Sequence, residues 1–220
     1  VREVDYWFVS HCDADHCNGL MELLETDYPI KHLVFSKYVL KDEAQEELAA
    51  LAKQKGCQVL YMEEGECFRD TSIRIQAIYP SEKSVEGERN ADSLVLLLEH
   101  GNFHGLLTGD IGSEQEKKFI EAYGNMKIDW YKAAHHGSKT SNSKEFLEVL
   151  QPKLATISCG RNNSYGHPGK EAVEHMQDVG AEIFQTTECG QISITQEDGK
   201  ACVRRLLKEK GVLGETDEKK

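Results

Sequence analysis

The chain has 220 residues, 39% of them hydrophobic, and 38 acidic against 26 basic side chains give a net charge of -12. That is enough apolar material to bury a core as one large domain. No run approaches the roughly 20 apolar residues that span a bilayer, mean hydropathy is -0.54, and the N-terminus lacks the charged and apolar segments of a signal peptide, so a soluble chain is expected. A pI of about 5.2 argues against a broad cationic footprint for nucleic acid. It does not exclude a nuclease, because Asp13, Asp15 and Asp110 are charges that divalent metals would neutralise. The cysteines, Cys12, Cys17, Cys57, Cys67, Cys159, Cys189 and Cys202, are odd in number and show no C-x-x-C spacing, so neither a disulfide framework nor a zinc ribbon is expected.

In chain order, the apolar run Val4 to Ser10 predicts a buried strand, Asn18 caps a short helix from Gly19 to Thr26, and His32 to Ser36 predicts a second strand. Lys41 to Lys55 predicts a helix with Ala44, Leu48, Leu51 and Ala52 on one face and Gly56 as its stop. Gln58 to Met62 and Ser72 to Pro80 predict strands. Ser81 to Asn90 is a charged loop, and a hairpin turning at His100-Gly101-Asn102 then delivers Gly109-Asp110. Ser113 with Glu116 reads as a capping box for a helix to Tyr123. Ile128 to Ala134 is a strand ending in His135-His136-Gly137. A helix from Lys144 to Leu150, a strand from Leu154 to Cys159, a helix between Pro168 and Gly180, and three closing strands follow. One domain over residues 1–208 and a polar tail over 209–220 are expected.

Three strand ends thus carry metal-type side chains: His11-Cys12-Asp13-Ala14-Asp15-His16, Asp110, and His135 with His136. Alternation along an extended segment would point His11, Asp13 and Asp15 one way, with Cys12 opposite, and let His16 turn back onto a second point. A dinuclear site needs about this many ligands. Two metals about 3.5–4 Å apart can activate a water as hydroxide and stabilise the oxygens of a phosphoester, and Asp110 is the expected bridge.

Four blocks, Ser10 to His16, Leu106-Leu107-Thr108-Gly109-Asp110, Ala134 to Ser141, and Asn162 through Tyr165-Gly166-His167-Pro168, resemble the metallo-β-lactamase superfamily. Within it they are most similar to the hydrolase domain of ComEC-type DNA-uptake (competence) proteins. The resemblance implies an α/β fold, the four-layer αββα sandwich, lacking N-terminal strands here because the chain starts so close to His11. It implies that His11 and Asp13 hold a first metal, that Asp15, His16 and His135 hold a second with His136 as the fallback, and that Asp110 bridges them. Asp15 and His167 are the expected catalytic residues, His167 as a phosphate contact or proton donor. His136, Ser138, Lys139, Asn163 and Tyr165 are the expected substrate contacts.

The chain departs from the usual His-x-His-x-Asp-His signature at Asp13, and the His expected between that motif and Asp110 is absent; Asn90 or Asp92 is the candidate extra ligand. Oxygen in place of imidazole hardens the site, so the two divalent ions expected are manganese or zinc. The function implied is a metal-dependent phosphodiesterase or nuclease acting on DNA. Hydrolysis of a small phosphoester such as a phosphorylcholine compound, or a metal- or DNA-binding module without turnover, are the alternatives. An exposed sheet edge is a candidate homodimer contact, and a parent anchored in a bacterial membrane would carry its spans outside this chain.

Overall fold

The computed structural model describes residues 2–82, 88–124, 126–197, 200–208 and 212–213. Most of the predicted charged loop after Ser81 and of the predicted polar tail lies outside the described residues. Contacts divide the chain into two compact units, Val1–Phe68 with Gln76–Leu96 and Thr108–Ile111, and Arg69–Ile75 with Leu97–Leu107 and Gly112–Lys220.

The first unit is built on β1 (Val4–Phe8), α1 (Ala14–Glu25), β2 (Ile30–Ser36), α2 (Glu43–Gln54) and β3 (Gln58–Met62). The strands pair in parallel in that order, as expected when each crossover is a helix. Leu33, Val34 and Phe35 of the central β2 are fully buried, which is why that strand reads as a continuous apolar run. Cys17, Leu20 and Leu24 of α1, spaced on one helical face, join Leu48, Ala49 and Ala52 of α2 in the core. Asp42 N-caps α2 by accepting from Gln45 N at 3.1 Å. β1 differs from expectation: it pairs only with β2 in this sheet, and Tyr6 is 42% exposed, stacking on His32 at 4.5 Å. Asp5 and Tyr6 are exposed while Val4, Trp7 and Phe8 are half-buried, so β1 is a half-exposed edge and not a buried strand.

A second sheet has the order β10-β9-β8-β7-β6-β5-β4, made of β4 (Cys67–Arg69), β5 (Ile73–Tyr79), β6 (Val95–His100), β7 (Phe103–Leu107), β8 (Trp130–Lys132), β9 (Leu154–Ile157) and β10 (Glu182–Gln185). β7 through β10 run parallel. In the second unit, α3 (Ser113–Tyr123), α4 (Lys144–Leu150) and α5 (Lys170–Asp178) supply the crossovers. Phe146 lies edge-on to Phe119 and Tyr131 in a fully buried aromatic cluster. A turn of helix α6 (Thr186–Cys189), absent from the expectation, precedes the antiparallel pair β11 (Ile192–Glu197) and β12 (Lys200–Arg205).

The predicted capping box is also different. Gly112 is the N-cap of α3 and donates its N–H to Gln115 Oε1 at 3.1 Å. Glu116 is instead fully buried and accepts from the backbone N–H groups of Asn142 and Ser143.

Candidate metal centre

α1 begins at Ala14, five residues before the predicted start, with Asp13 in extended conformation as its N-cap. Asp15 and His16 therefore stand in the first helical turn and leave the alternation of the strand. The helical turn swings His16 beside His11, ring centroids 4.1 Å apart, and turns Asp15 outward with 65% of its side chain exposed. Cys12 and Cys17 are core residues, each 3% exposed. The Cys17 thiol donates to the His11 carbonyl at 3.4 Å.

Asp110 arrives at the end of the β7 segment and is 4% exposed. One ligand-type atom from each of His11, His16 and Asp110 lies within 4.8 Å of the others. The Asp110 carboxylate is 3.3 Å from His16 Nε2, Asp13 Oδ2 is 3.6 Å from His11 Nε2, and Asp15 Oδ2 is 3.9 Å from His16 Nε2. These first-unit positions were all expected as ligands from the sequence. Asp92 and Asn90 form a single 3-10 turn with Ala91, and Asp92 does not join the three-residue group.

Two serines orient the imidazoles. Ser10 Oγ lies 3.2 Å from Nδ1 of both His11 and His16, and Ser93 Oγ lies 3.3 Å from His11 Nδ1 while accepting the Asp110 N–H at 3.1 Å. A hydroxyl that accepts the proton of Nδ1 leaves Nε2 with its lone pair, the arrangement a metal-binding histidine needs. His11 is 1% exposed. Burial, and then the adjacent His16, push its pKa down to about 4 against the pull of Asp110, Asp13 and Asp15, so the ring is neutral near pH 7. Its buried Nε2 has no hydrogen-bond partner. Such an atom costs on the order of 1–3 kcal/mol, and a cation among these donors would satisfy it. The residues fit a divalent metal.

The second unit brings together its own histidines. His135 and His136 both adopt left-handed backbone, φ 48° and 55°, a conformation that persists in non-glycine residues only when the surroundings enforce it. Asn142 does so here. Fully buried, its amide donates to the carbonyls of Ala134 and Ser138 at 3.0 and 3.2 Å and accepts from Ala134 N and the Tyr131 hydroxyl at 3.1 and 2.8 Å. His136 Nδ1 donates to the Ser158 carbonyl at 2.7 Å, which leaves Nε2 as the acceptor. The His167 ring centroid is 5.7 Å from His135 and 6.4 Å from His136, and the 82% exposed Tyr165 stacks on it at 5.7 Å.

Two expected substrate contacts are committed elsewhere. The Asn163 amide donates to the carbonyls of Gly160 and His167 and accepts from His167 N, so it holds the loop. Ser138 is 4% exposed and bonded to Thr140. Lys139 is exposed and lines a cleft of about 270 Å³ with Ser113, Lys144 and His175. Sequence reasoning assigned no role to Ser10, Ser93 or Asn142, and it read Glu116 as a capping residue. The serines sit within quoted or adjacent motif residues, but their role depends on strand ends that meet only in the fold.

Residues 1–161 match the model of the metallo-beta-lactamase superfamily. The chain belongs to the metallo-β-lactamase superfamily. It is 31% identical over 192 residues to ComE operon protein 3 of Bacillus subtilis, covering 87% of this chain and 24% of that protein. It is 28% identical to Recombination protein 2 of Haemophilus influenzae, over 84% of this chain and 21% of the relative. It is 26% identical to Competence protein ComA of Neisseria gonorrhoeae, over 94% of this chain and 27% of the relative. These relatives bear out the similarity to competence proteins, and the chain spans about a quarter of their length. Among solved structures, the diiron beta-hydroxylase CmlA of Streptomyces venezuelae superposes with a TM-score of 0.57 at 14% identity, over 84% of this chain and 44% of that one. That likeness establishes the mixed α/β superfamily fold alone. Metallo-β-lactamase enzymes are in general hydrolases that use divalent metals, often in pairs. Among the described residues no helix is long and apolar enough to cross a membrane.

Proposed function

We propose that this chain is a metal-dependent phosphodiesterase that acts on DNA. The observation that carries the reading is the cluster of buried His11 and Asp110 with half-buried His16, whose imidazoles have each Nδ1 against a serine hydroxyl. Asp13 and Asp15 at its rim make the donor set rich in oxygen, which suits manganese or zinc and a phosphoryl substrate. When bound, the metal supplies Lewis acidity to the phosphate and lowers the pKa of water. His11, His16 and Asp110, with Asp13, would hold it. The carboxylate of Asp110, fixed through its backbone N–H on Ser93, is proposed as the bridging ligand between two ions.

In the second unit, the Nδ1 bond of His136 to the Ser158 carbonyl fixes the tautomer that makes Nε2 the acceptor, which favours it over His135 as the ligand that the superfamily pattern requires there. His167, held at its backbone by Asn163, is assigned to protonate the leaving oxygen. Tyr165 and Lys139 are assigned to the nucleotide, by stacking and by charge. The names of the relatives favour DNA as substrate. The net charge of -12 favours a second reading, a small phosphoester.

Metal content by elemental analysis, with hydrolysis of single-stranded DNA, duplex DNA and bis-p-nitrophenyl phosphate, separates these readings. Bound manganese or zinc with cleavage of DNA that Asp110→Ala abolishes is the expected result. Cleavage of the small ester alone selects the second reading, and no metal with no cleavage refutes both.

A further inference from the structure

Asp13 caps α1 with its backbone only. Its carbonyl accepts from His16 N and Cys17 N at 2.9 and 3.0 Å, while its side chain makes no capping bond. The carboxylate is divided instead. Oδ1 accepts from Arg89 Nη1 at 2.9 Å, and Oδ2 faces His11 Nε2 at 3.6 Å. The same guanidinium donates from Nη1 to the Cys12 carbonyl at 3.4 Å and from Nε to Asp42 Oδ2 at 2.6 Å. Asp42 is itself fixed, because its Oδ1 caps α2. A relay therefore runs from the start of α2 through Asp42 and Arg89 to one oxygen of Asp13, and leaves the other oxygen on the ligand face.

We infer that Arg89 is a positioning residue of the metal centre: it holds Asp13 so that a single oxygen is presented beside His11, and Asp42 orients Arg89 in turn. This rests on the proposed metal site. A free carboxylate rotates and can offer either or both oxygens, whereas the planar guanidinium fork, bound on two sides, fixes its rotation. Lysine would supply the charge but not the fork.

Charge and orientation predict opposite signs. Removing a cation from beside a cation site strengthens metal binding on Coulombic grounds, whereas losing the orientation of a ligand weakens it about 10–100-fold. Titration calorimetry of the full chain with Mn²⁺ and with Zn²⁺, run on wild type, Arg89→Ala, Arg89→Lys, Asp42→Asn and Asp13→Ala, separates the two, with the metal-free melting temperature recorded for each. Arg89→Ala should raise Kd about 10–100-fold, with Arg89→Lys and Asp42→Asn between it and wild type. Should Arg89→Ala destabilise the metal-free fold, the two milder variants carry the same comparison. Unchanged or tighter binding in all three Arg89 and Asp42 variants, with Asp13→Ala still impaired, overturns the inference and leaves the metal site standing. Absence of metal binding in wild type overturns the metal site itself, and the inference with it.

Discussion

A Cβ atom placed on Gly109 would lie 2.7 Å from the Cβ of Ser93. It would also meet Ser93 Oγ at 2.9 Å and Ser10 Cβ at 3.0 Å, and the residue has φ +53°. Glycine before Asp110 therefore serves two needs, a left-handed turn and the close approach of three chain segments. Gly109→Ala should cost on the order of 2–4 kcal/mol from strain and overpacking and displace the serines that orient His11 and His16. Urea unfolding measures the first and metal titration the second. A stability change below about 0.5 kcal/mol would show that the serines can move aside.

The loop of His135 and His136 depends on one buried amide in the same way. Asn142→Ala removes the acceptor for Ala134 N and the Tyr131 hydroxyl and the donor to two carbonyls. It also places alanine at φ 64°. Leaving buried groups without partners should cost about 3 kcal/mol or more. Amide exchange over residues 134–138 should accelerate more than in the β9 strand; equal acceleration everywhere would mean that Asn142 stabilises the unit as a whole and not this loop.

Asp129 gives a pH signature separate from the metal centre. Burial pushes its pKa up, but hydrogen bonds from Lys153 Nζ at 2.8 Å and His104 N at 2.9 Å outweigh burial and hold it below the ordinary 3.8. A carboxyl lowered by folding stabilises the protein above its unfolded pKa, and that stabilisation is lost as pH falls through the folded value. Asp129→Asn should therefore be less stable than wild type at pH 7, by roughly 1 kcal/mol, with the gap closing as pH drops below 3.8. Denaturant midpoints from pH 7 to pH 3 test this, and a gap that stays constant with pH would refute it.

The sequence disclosed most where a pattern is local. The α2 face of Leu48 and Ala52, the β3 limits and the α4 limits follow from periodicity and caps, and the ligand-type residues cluster in motifs short enough to see. What it hid is what depends on distant partners. His-Cys-Asp-Ala-Asp-His reads as an extended segment until the Asp13 carbonyl starts a helix two residues after His11, which moves Asp15 outward and His16 inward. Glu116 has the spacing of a capping residue, yet it is drawn into the interior by the N–H groups of Asn142 and Ser143. Arg89 lies at the end of a charged loop with no local signal at all, and its partners Asp13 and Asp42 belong to other elements. Asn163 looks available in sequence, but the turn it closes consumes its whole amide.

The three residues of the His11, His16 and Asp110 cluster come from the two ends of the first unit's sequence, His11 and His16 near its start and Asp110 in its last segment. An unfolded chain holds no such constellation, so any ion bound there binds the native state alone. Occupancy and folding are then a single thermodynamic quantity: free metal at a hundred times its Kd would add about 2.7 kcal/mol to the unfolding free energy. Chelation would lower the melting temperature by the same linkage, so that metal supply would govern how much of this protein is folded.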